Sequence, residues 1–493
     1  MGGFRFPTAF TILFVLIAAV AALTWIIPAG QYERAFSEAL GTEAPIPGTY
    51  ATVEANPQGP IDVILAPIAG LYDPGLLGSS TSAAIDVAVF VLIIGGFIGV
   101  VTRTGAIDAG IGCLLTRLAG REIVMIPILM LAFAFGGTTY GMAEESLAFY
   151  AIVIPVFLRA GYDALTGVAV IMLGAGIGVI GSTVNAFATV VASKGAGIPL
   201  TDGIGLRLAI LALCLLAGIL FVMRYARRVQ ADPSRSLVAD RAEETRAVFL
   251  KGRGEAEEAL PEMTPMRGVI LALFGLTFVA MIVGVTALGW WMGEMAGLFL
   301  FMAIVTWLVG RLEAATRLDE KTFTDTFVAG ASDLLGVALI IGVARGVVVV
   351  MDAGRITDTL LYAAAGAIDG LSEYVFINGM FGIQIGLSFL VPSSSGLATL
   401  TMPIMAPLAD FAGVGRSLVV TAYQSANGWV NLFNPTFAVV MGGLAIGRVP
   451  YDRWLRFVWP LLLILAAIVI AALSLGAGLS EVPAPAGAAG AAD

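Results

Sequence analysis

Residues 391–400 read VPSSSGLATL and interrupt an apolar stretch that otherwise runs from Tyr374 to Leu408. A proline and a glycine around three serines break a helix, and peptide groups released at bilayer depth are costly unless protein or water satisfies them. Each arm beside the break is about 15 residues, roughly 22 Å at 1.5 Å per residue. That is short for a full crossing and long enough to pass mid-membrane and return. The stretch 374–409 is therefore read as a re-entrant helical hairpin. Its serine turn offers hydroxyls, free backbone N–H groups and a helix N-terminus, which are the parts that bind an anion.

The rest of the chain fits such a hairpin. Of 493 residues, 59% are hydrophobic and 12% charged, and the mean hydropathy is +0.95. Several apolar runs reach the ~20 residues that cross a bilayer, so the fold class is an all-α polytopic membrane protein. Full spans are expected at 7–28, 84–102, 164–192, 204–224, 266–288, 292–310, 327–351, 415–445 and 454–478. A second broken stretch at 122–158, with GGTTYGMAEES (136–146) at its centre, gives a second hairpin. The architecture is thus about nine transmembrane helices plus two re-entrant hairpins. The run beginning FPTAFTILFV is longer than a signal core and is followed by further spans, so it is the first helix.

Lysine and arginine set the orientation. The segment 224–267 holds nine of them, whereas 29–83 holds only Arg34. The N-terminus is expected inside and the C-terminus outside. The stretch 226–265 is read as a solvated cytoplasmic linker, and 481–493 as a disordered tail.

The two halves are weakly self-similar at an offset of 248 to 249 residues: TGAID (104–108) lies over AGRIT (353–357), Pro155 over Pro403, and NAFATVV (185–191) over NPTFAVV (434–440). The halves are 1–225 and 289–480, with the helix 266–288 inserted between them. That insertion inverts the second half. Inverted repeats with discontinuous helices mark secondary transporters, which bind substrate and coupling ions near mid-membrane.

The candidate site follows from this arrangement. At the hairpin tips stand Thr138, Thr139, Glu144 and Glu145, and Ser393, Ser394 and Ser395. The next span of each half is also interrupted, and carries Asn185 in one and Asn427, Asn431, Asn434 and Thr436 in the other. Freed carbonyls and amide or hydroxyl oxygens are hard ligands, so Na⁺ is placed near Ser182, Thr183, Asn185, Ser425 and Asn427. The glycines of 174–181 either loosen the helix for that purpose or permit close packing. Ionisable residues inside a membrane are functional candidates. Arg345 is positioned to neutralise a substrate carboxylate, or to pair with Asp352, Glu144 or Glu145. Glu144 and Glu145 suit proton exchange, a cation or a substrate ammonium.

Other chemistry is excluded. Histidine is absent, and Cys113 and Cys214 lack metal or disulfide spacing. There is no HExxH motif, no nucleophile with an evident base and no phosphate loop, so no enzyme is expected. No basic patch suggests nucleic acid. Besides Na⁺ or H⁺ as coupling ion, no cofactor is called for.

The segments FRFPTAFTILFVLIAAVAALTWIIPAGQYER (4–34), GVARGVVVVMDAGRITDTLL (342–361), FLVPSSSGLATLTMPIMAPLAD (389–410) and AYQSANGWVNLFNPT (422–436) resemble the C4-dicarboxylate anaerobic carrier family, and within it the YfcC-like branch. The resemblance implies membership of the ion transporter superfamily. It further implies a homodimer formed through a scaffold, and an elevator-like transport domain carrying the hairpin tips. Sodium symporters of that superfamily are similar in having Ser-Asn-Thr at both tips, where this chain has Thr138-Thr139 and Ser393-Ser394-Ser395. The expected activity is transport of a small carboxylate, coupled to Na⁺ or H⁺. The alternative is an antiporter of amino acids or other zwitterionic or basic compounds; an intramembrane enzyme or a sensor ranks below both.

Overall fold

The computed structural model describes residues 7–72, 84–117, 121–251 and 261–479. The tail 481–493 and residues 252–260 of the linker lie outside the described residues. Helix α1 (Ala9–Leu23) is capped by Thr8, whose hydroxyl accepts from Thr11 N. Four short strands follow: β1 (Gly30–Gln31), β2 (Arg34–Ser37), β3 (Thr42–Pro45) and β4 (Ala51–Thr52), paired antiparallel as β1 with β4 and β2 with β3. The first half continues through α2 (Pro60–Tyr72), α3 (Ala84–Arg103), α4 (Ala106–Arg117), α5 (Met125–Thr139), α6 (Leu147–Arg159), α7 (Ala164–Ile180), α8 (Thr189–Ala196) and α9 (Ile204–Ala231). A short α10 (Ala242–Arg246) precedes α11 (Pro265–Leu288), α12 (Met292–Gly310), α13 (Glu320–Asp333), α14 (Leu335–Ala353) and α15 (Thr357–Ile368). The chain closes with α16 (Glu373–Leu390), α17 (Ser394–Phe411), α18 (Arg416–Val430), α19 (Ala438–Ile446) and α20 (Tyr451–Leu479).

Among the described residues, eight helices are long and apolar enough to cross a membrane: Ala84–Arg103, Glu122–Thr139, Ile204–Ala231, Pro265–Leu288, Met292–Gly310, Glu320–Ala353, Glu373–Leu390 and Tyr451–Gly478. The protein is a helical, multi-pass membrane protein. Glu122–Thr139 and Glu373–Leu390 are the first arms of the two broken stretches. The remaining expected spans are shorter or divided for local reasons. The first ends at Leu23, because Thr24 turns its hydroxyl back to Ala21 O (2.6 Å) and its N–H closes the last turn. The span at 164–192 splits into α7 and α8, and the span at 415–445 into α18 and α19, where Pro435 supplies no backbone donor.

Two packing groups emerge. Helix α3 packs against α12, α13 and α14, and α14 also takes α1 and α2. Helix α7 packs against α5, α6, α9 and α18, while α17 meets α8 and α18, and α20 meets α9, α16 and α18. Helix α7 is buried along nearly its whole length, from Ala164 to Ile180. Residues 29–72, which follow the first expected span, are folded into β1 to β4 and α2. Asp358 accepts from Arg34 (3.0 Å) and Tyr32 N (3.0 Å), which fastens β2 to α15.

The linker also differs from a solvated tether. Asp163 caps α7 through Thr166 N (2.8 Å), and its other oxygen accepts from the hydroxyls of Tyr225 and Ser236 (2.6 Å each). Arg453 donates to Leu237 O (3.2 Å), and Arg448 pairs with Glu244 (3.1 Å). Residues 232–251 are thus strapped across the ends of α7, α9 and α20. Asp163→Ala should strip one cap and two hydroxyl partners, lowering stability by about 2–3 kcal/mol. It should also speed cleavage near Arg235 and Arg241 in limited trypsin digestion, and unchanged cleavage would show that Asp163 is not the anchor.

Candidate functional site

The two broken stretches and the two interrupted helices meet around one cavity. At the second tip, Ser393 caps α17 by accepting from Gly396 N (3.2 Å). Ser394 Oγ donates to Asn427 Oδ1 (2.8 Å), and the Tyr423 hydroxyl donates to the Ser394 carbonyl. The serine turn is therefore fastened to α18. All three serines line the cavity, and their helix N-terminus makes that wall favourable to negative charge.

The first tip presents the opposite charge. After Thr139 the chain turns at Gly141, with φ +82°, and forms a single turn over Glu144–Ser146 before α6. A β-carbon on Gly141 would lie 2.5 Å from Asn185 Oδ1, so this position needs glycine for both its backbone angle and its space. Glu145 is buried and accepts from Ala143 N (3.1 Å), while Glu144 is half-buried. Both glutamates border the cavity.

The interrupted helices are held open by side chains. Asn185 Oδ1 accepts from Phe187 N (2.8 Å) and Ala188 N (3.1 Å), and its amide reaches Gly137 O at the end of α5 (3.5 Å). Asn434 does the same in the other half: Oδ1 accepts from Thr436 N (3.0 Å), and the amide donates to Ser388 O (3.3 Å) and Phe389 O (3.2 Å) at the end of α16. Each asparagine satisfies peptide groups freed by its own break and ties that break to the neighbouring tip.

The cavity measures about 200 Å³. From the sequence-derived site it gathers Glu144, Glu145, Asn185, Arg345, Ser393, Ser394, Ser395, Asn431 and Thr436. Thr138, Thr139, Asn427 and Asn434 are not on its wall. Thr138 instead locks the α7 break, accepting from Thr183 N (3.0 Å) with its carbonyl taking the Thr183 hydroxyl (3.1 Å). Thr139 turns its hydroxyl to Phe135 O within α5 (2.6 Å). These two threonines shape the tip.

The residues offered to Na⁺ fit it poorly. Ser182 Oγ bonds Thr189 Oγ1 (2.6 Å), which donates to Gln424 Oε1 (2.5 Å), and Ser425 Oγ donates to Ile180 O (2.9 Å). Thr183 is engaged with Thr138, and the Oδ1 atoms of Asn185 and Asn427 each accept two hydrogen bonds. The Ser182, Thr189 and Ser425 oxygens thus join α7 and its break to α18, those of Thr183 and Asn185 hold the α7 break and its neighbouring tip, and that of Asn427 holds Ser394 and Asn431. Glycines on both sides of the α5–α7 contact likewise pack: a β-carbon on Gly178 of α7 would stand 2.4 Å from the carbonyl of Ala134, and one on Gly137 of α5 2.1 Å from the carbonyl of Ala175.

Aromatic walls escaped sequence reasoning. Phe187, Trp291 and Phe437 line the cavity, and the rings of Phe187 and Trp291 meet edge to face at 4.7 Å. Phe187 and Phe437 both stand in the aligned NAFATVV and NPTFAVV motifs, which was the available signal. Trp291 sits at the start of α12, so the pair bridges the α7 break and the other packing group.

A protein of unassigned function from Haemophilus influenzae is 37% identical over 510 residues, covering 95% of this chain and 96% of its own. A protein described as a putative basic amino acid antiporter, YfcC of Escherichia coli, is 32% identical over 489 residues, covering 94% and 95%. Two solved transporters align over most of their length: YdaH of Alcanivorax borkumensis (14% identity, TM-score 0.43, 96% of this chain and 98% of that one) and MtrF of Neisseria gonorrhoeae (16%, 0.42, 98% and 97%). The family model for the C4-dicarboxylate anaerobic carrier matches residues 6–477, and the chain belongs to that family of membrane transporters.

Proposed function

We propose that the protein is a secondary carrier for a small molecule bearing both a carboxylate and an amine, a zwitterionic or basic amino acid being the simplest case. One observation carries this reading: Glu144 and Glu145 share a 200 Å³ cavity with Ser393, Ser394, Ser395 and Arg345. The serine-lined helix N-terminus and the guanidinium suit a carboxylate. Two carboxylates and the aromatic faces of Phe187, Trp291 and Phe437 suit an ammonium or guanidinium group. A plain dicarboxylate would satisfy the first set and be repelled by the second. The printed description of the Escherichia coli relative agrees with this choice.

The position of the cavity supports transport by alternating access. One wall comes from α3, α12 and α14 and the other from the tips and helix breaks, so sliding one packing group against the other would carry the site across the membrane. An elevator-like motion of this kind, coupled to a monovalent cation or proton, is the mechanism we assign. The bacterial relatives support an inner-membrane location, and the lysine and arginine distribution favours an N-terminus inside.

Thermal stability of the purified protein tests the substrate class, since a ligand of the folded state raises the melting temperature by mass action. Arginine, lysine and neutral amino acids are compared with succinate and fumarate. An amine-bearing compound should stabilise, and Glu144→Gln should weaken its binding by about ten- to a hundredfold, as expected for losing a charge-assisted hydrogen bond. Stabilisation by dicarboxylates alone, undiminished in Glu144→Gln, would instead favour the serine tip and Arg345 as a purely anionic site.

A further inference from the structure

Outside the cavity, the interface of α16 with α18 contains a group of buried polar atoms that no mechanism above uses. Gln384 and Ser388 stand one turn apart on α16, and both are 0% exposed. Gln384 Oε1 and Ser388 Oγ have no hydrogen-bond partner. On the facing helix α18, Asn427 stands one turn before Asn431, with exposures of 0% and 8%, and Asn427 Nδ2 and Asn431 Oδ1 are likewise unpartnered. An apolar environment penalises each such atom, and four in one helix interface is a concentration that ordinary packing does not explain.

The local geometry brings them together. Helices α16 and α17 form a helix–turn–helix, and α18 returns after a short turn, so α16 and α18 run in the same direction. The amide of Asn434 reaches Ser388 O (3.3 Å), which sets the Ser388 turn against the end of α18. One turn back along each segment, four residues from Ser388 and three from Asn434, Gln384 comes level with Asn431. The amide orientations are fixed by neighbours: Asn427 Oδ1 accepts from both Ser394 Oγ (2.8 Å) and Asn431 Nδ2 (3.1 Å), which leaves Asn431 Oδ1 free. Asn431 also borders the cavity, so the group has an entrance.

We infer that Gln384, Ser388 and Asn431 form a site for a monovalent alkali cation, with Na⁺, already expected as a coupling ion, as the first candidate. The donors are a hydroxyl and two amide carbonyls, hard oxygens without formal charge. That set suits a single positive charge and leaves a divalent ion uncompensated. No cluster of three or more His, Cys, Asp or Glu able to hold a metal occurs among the described residues. Through Asn431, Asn427 and Ser394 the cation would be wired to the serine tip, so its binding would order the turn that meets a substrate carboxylate. This deepens the transport reading by locating the coupling ion in the second broken stretch, away from the α7–α18 junction made by Gln424 and Ser425.

The test is done without substrate, so that an error in the substrate class cannot affect it. The melting temperature of the full chain is titrated with NaCl against choline chloride at constant ionic strength. A saturable rise with Na⁺ is expected. Gln384→Leu and Ser388→Ala should each raise the half-saturating concentration at least tenfold, Ser388→Thr should retain the response, and Ser182→Ala should not alter it. LiCl and KCl on the unaltered protein give a second reading independent of the variants' folding. No shift of the unaltered protein with any of the three cations overturns the site. A Na⁺ response unchanged in both Gln384→Leu and Ser388→Ala overturns it equally.

Discussion

Valine at Gly178 is expected to leave no folded carrier. Its β-carbon would stand 2.4 Å from the carbonyl of Ala134, and across the same contact a β-carbon at Gly137 would stand 2.1 Å from the carbonyl of Ala175. Both obstacles are backbone, so no side chain can swing aside. Helix α7 cannot retreat either, because it is buried on all sides between α5, α6, α9 and α18. Overpacking a core helix costs about 3 kcal/mol at its upper range, and separating α5 from α7 also strips the Thr138–Thr183 hydrogen bonds that seat the tip. Gly205→Val in α9 is the control, since nothing lies within 4 Å of its β-carbon. The expected result is aggregation or a collapsed melting temperature for Gly178→Val, and monodisperse protein for Gly205→Val. A normal melt for Gly178→Val would mean that the α5–α7 crossing is looser than described.

That contact also shows what the sequence could convey. A run of four glycines followed by Ser182, Thr183 and Asn185 in an apolar span marks a helix break, because polar side chains in hydrocarbon need a reason. It does not say whether the glycines loosen the helix or let another approach, since both need only the missing side chain. The breaks themselves were legible, and so were the polar residues that line the cavity, among them Glu144, Glu145, Asn185, Arg345 and Ser393 to Ser395. Their individual tasks were not: Thr138 and Ser394 are equally polar tip residues, yet one locks a break and the other faces the cavity. Helix α2 was invisible because its 13 residues contain Pro67 and Gly70 and are too few to span. It forms because β-carbons on Gly342 and Gly346 would collide with Leu71 and the Ala66–Pro67 backbone, so α14 offers a groove that only the fold reveals. The docked linker depends on Asp163 meeting Ser236 across 73 residues, and composition alone reads such a charged stretch as solvated. Phe187 and Trp291 were missed because an aromatic residue in a greasy chain carries no distinguishing signal until its neighbours are known.

The two break asparagines should respond alike to alanine and differently to aspartate. Asn185→Ala leaves the N–H groups of Phe187 and Ala188 without their acceptor, and Asn434→Ala leaves the N–H of Thr436 and the carbonyl of Ser388 unmatched. Each orphaned buried group costs about 1–3 kcal/mol, so either change should lower stability by about 2–4 kcal/mol and abolish transport. Aspartate separates them because it keeps the acceptor and loses the donor. At position 185 the acceptor does most of the work: two backbone N–H groups at the start of α8 point at it, while the amide's reach to Gly137 is 3.5 Å. A negative charge there is also favoured by the helix N-terminus. At position 434 the amide donates to two carbonyls at 3.2 and 3.3 Å, and a carboxylate would face both of them with no proton to share. Asn185→Asp should therefore melt closer to the unaltered protein than Asn185→Ala, whereas Asn434→Asp should be no better than Asn434→Ala. Melting curves of the four variants, with uptake into proteoliposomes, decide it. If aspartate rescues both positions or neither, the two asparagines do not divide acceptor and donor roles between the breaks in this way. The charge of the tip opposite each break, glutamates at one and serines at the other, then becomes the next variable to exchange.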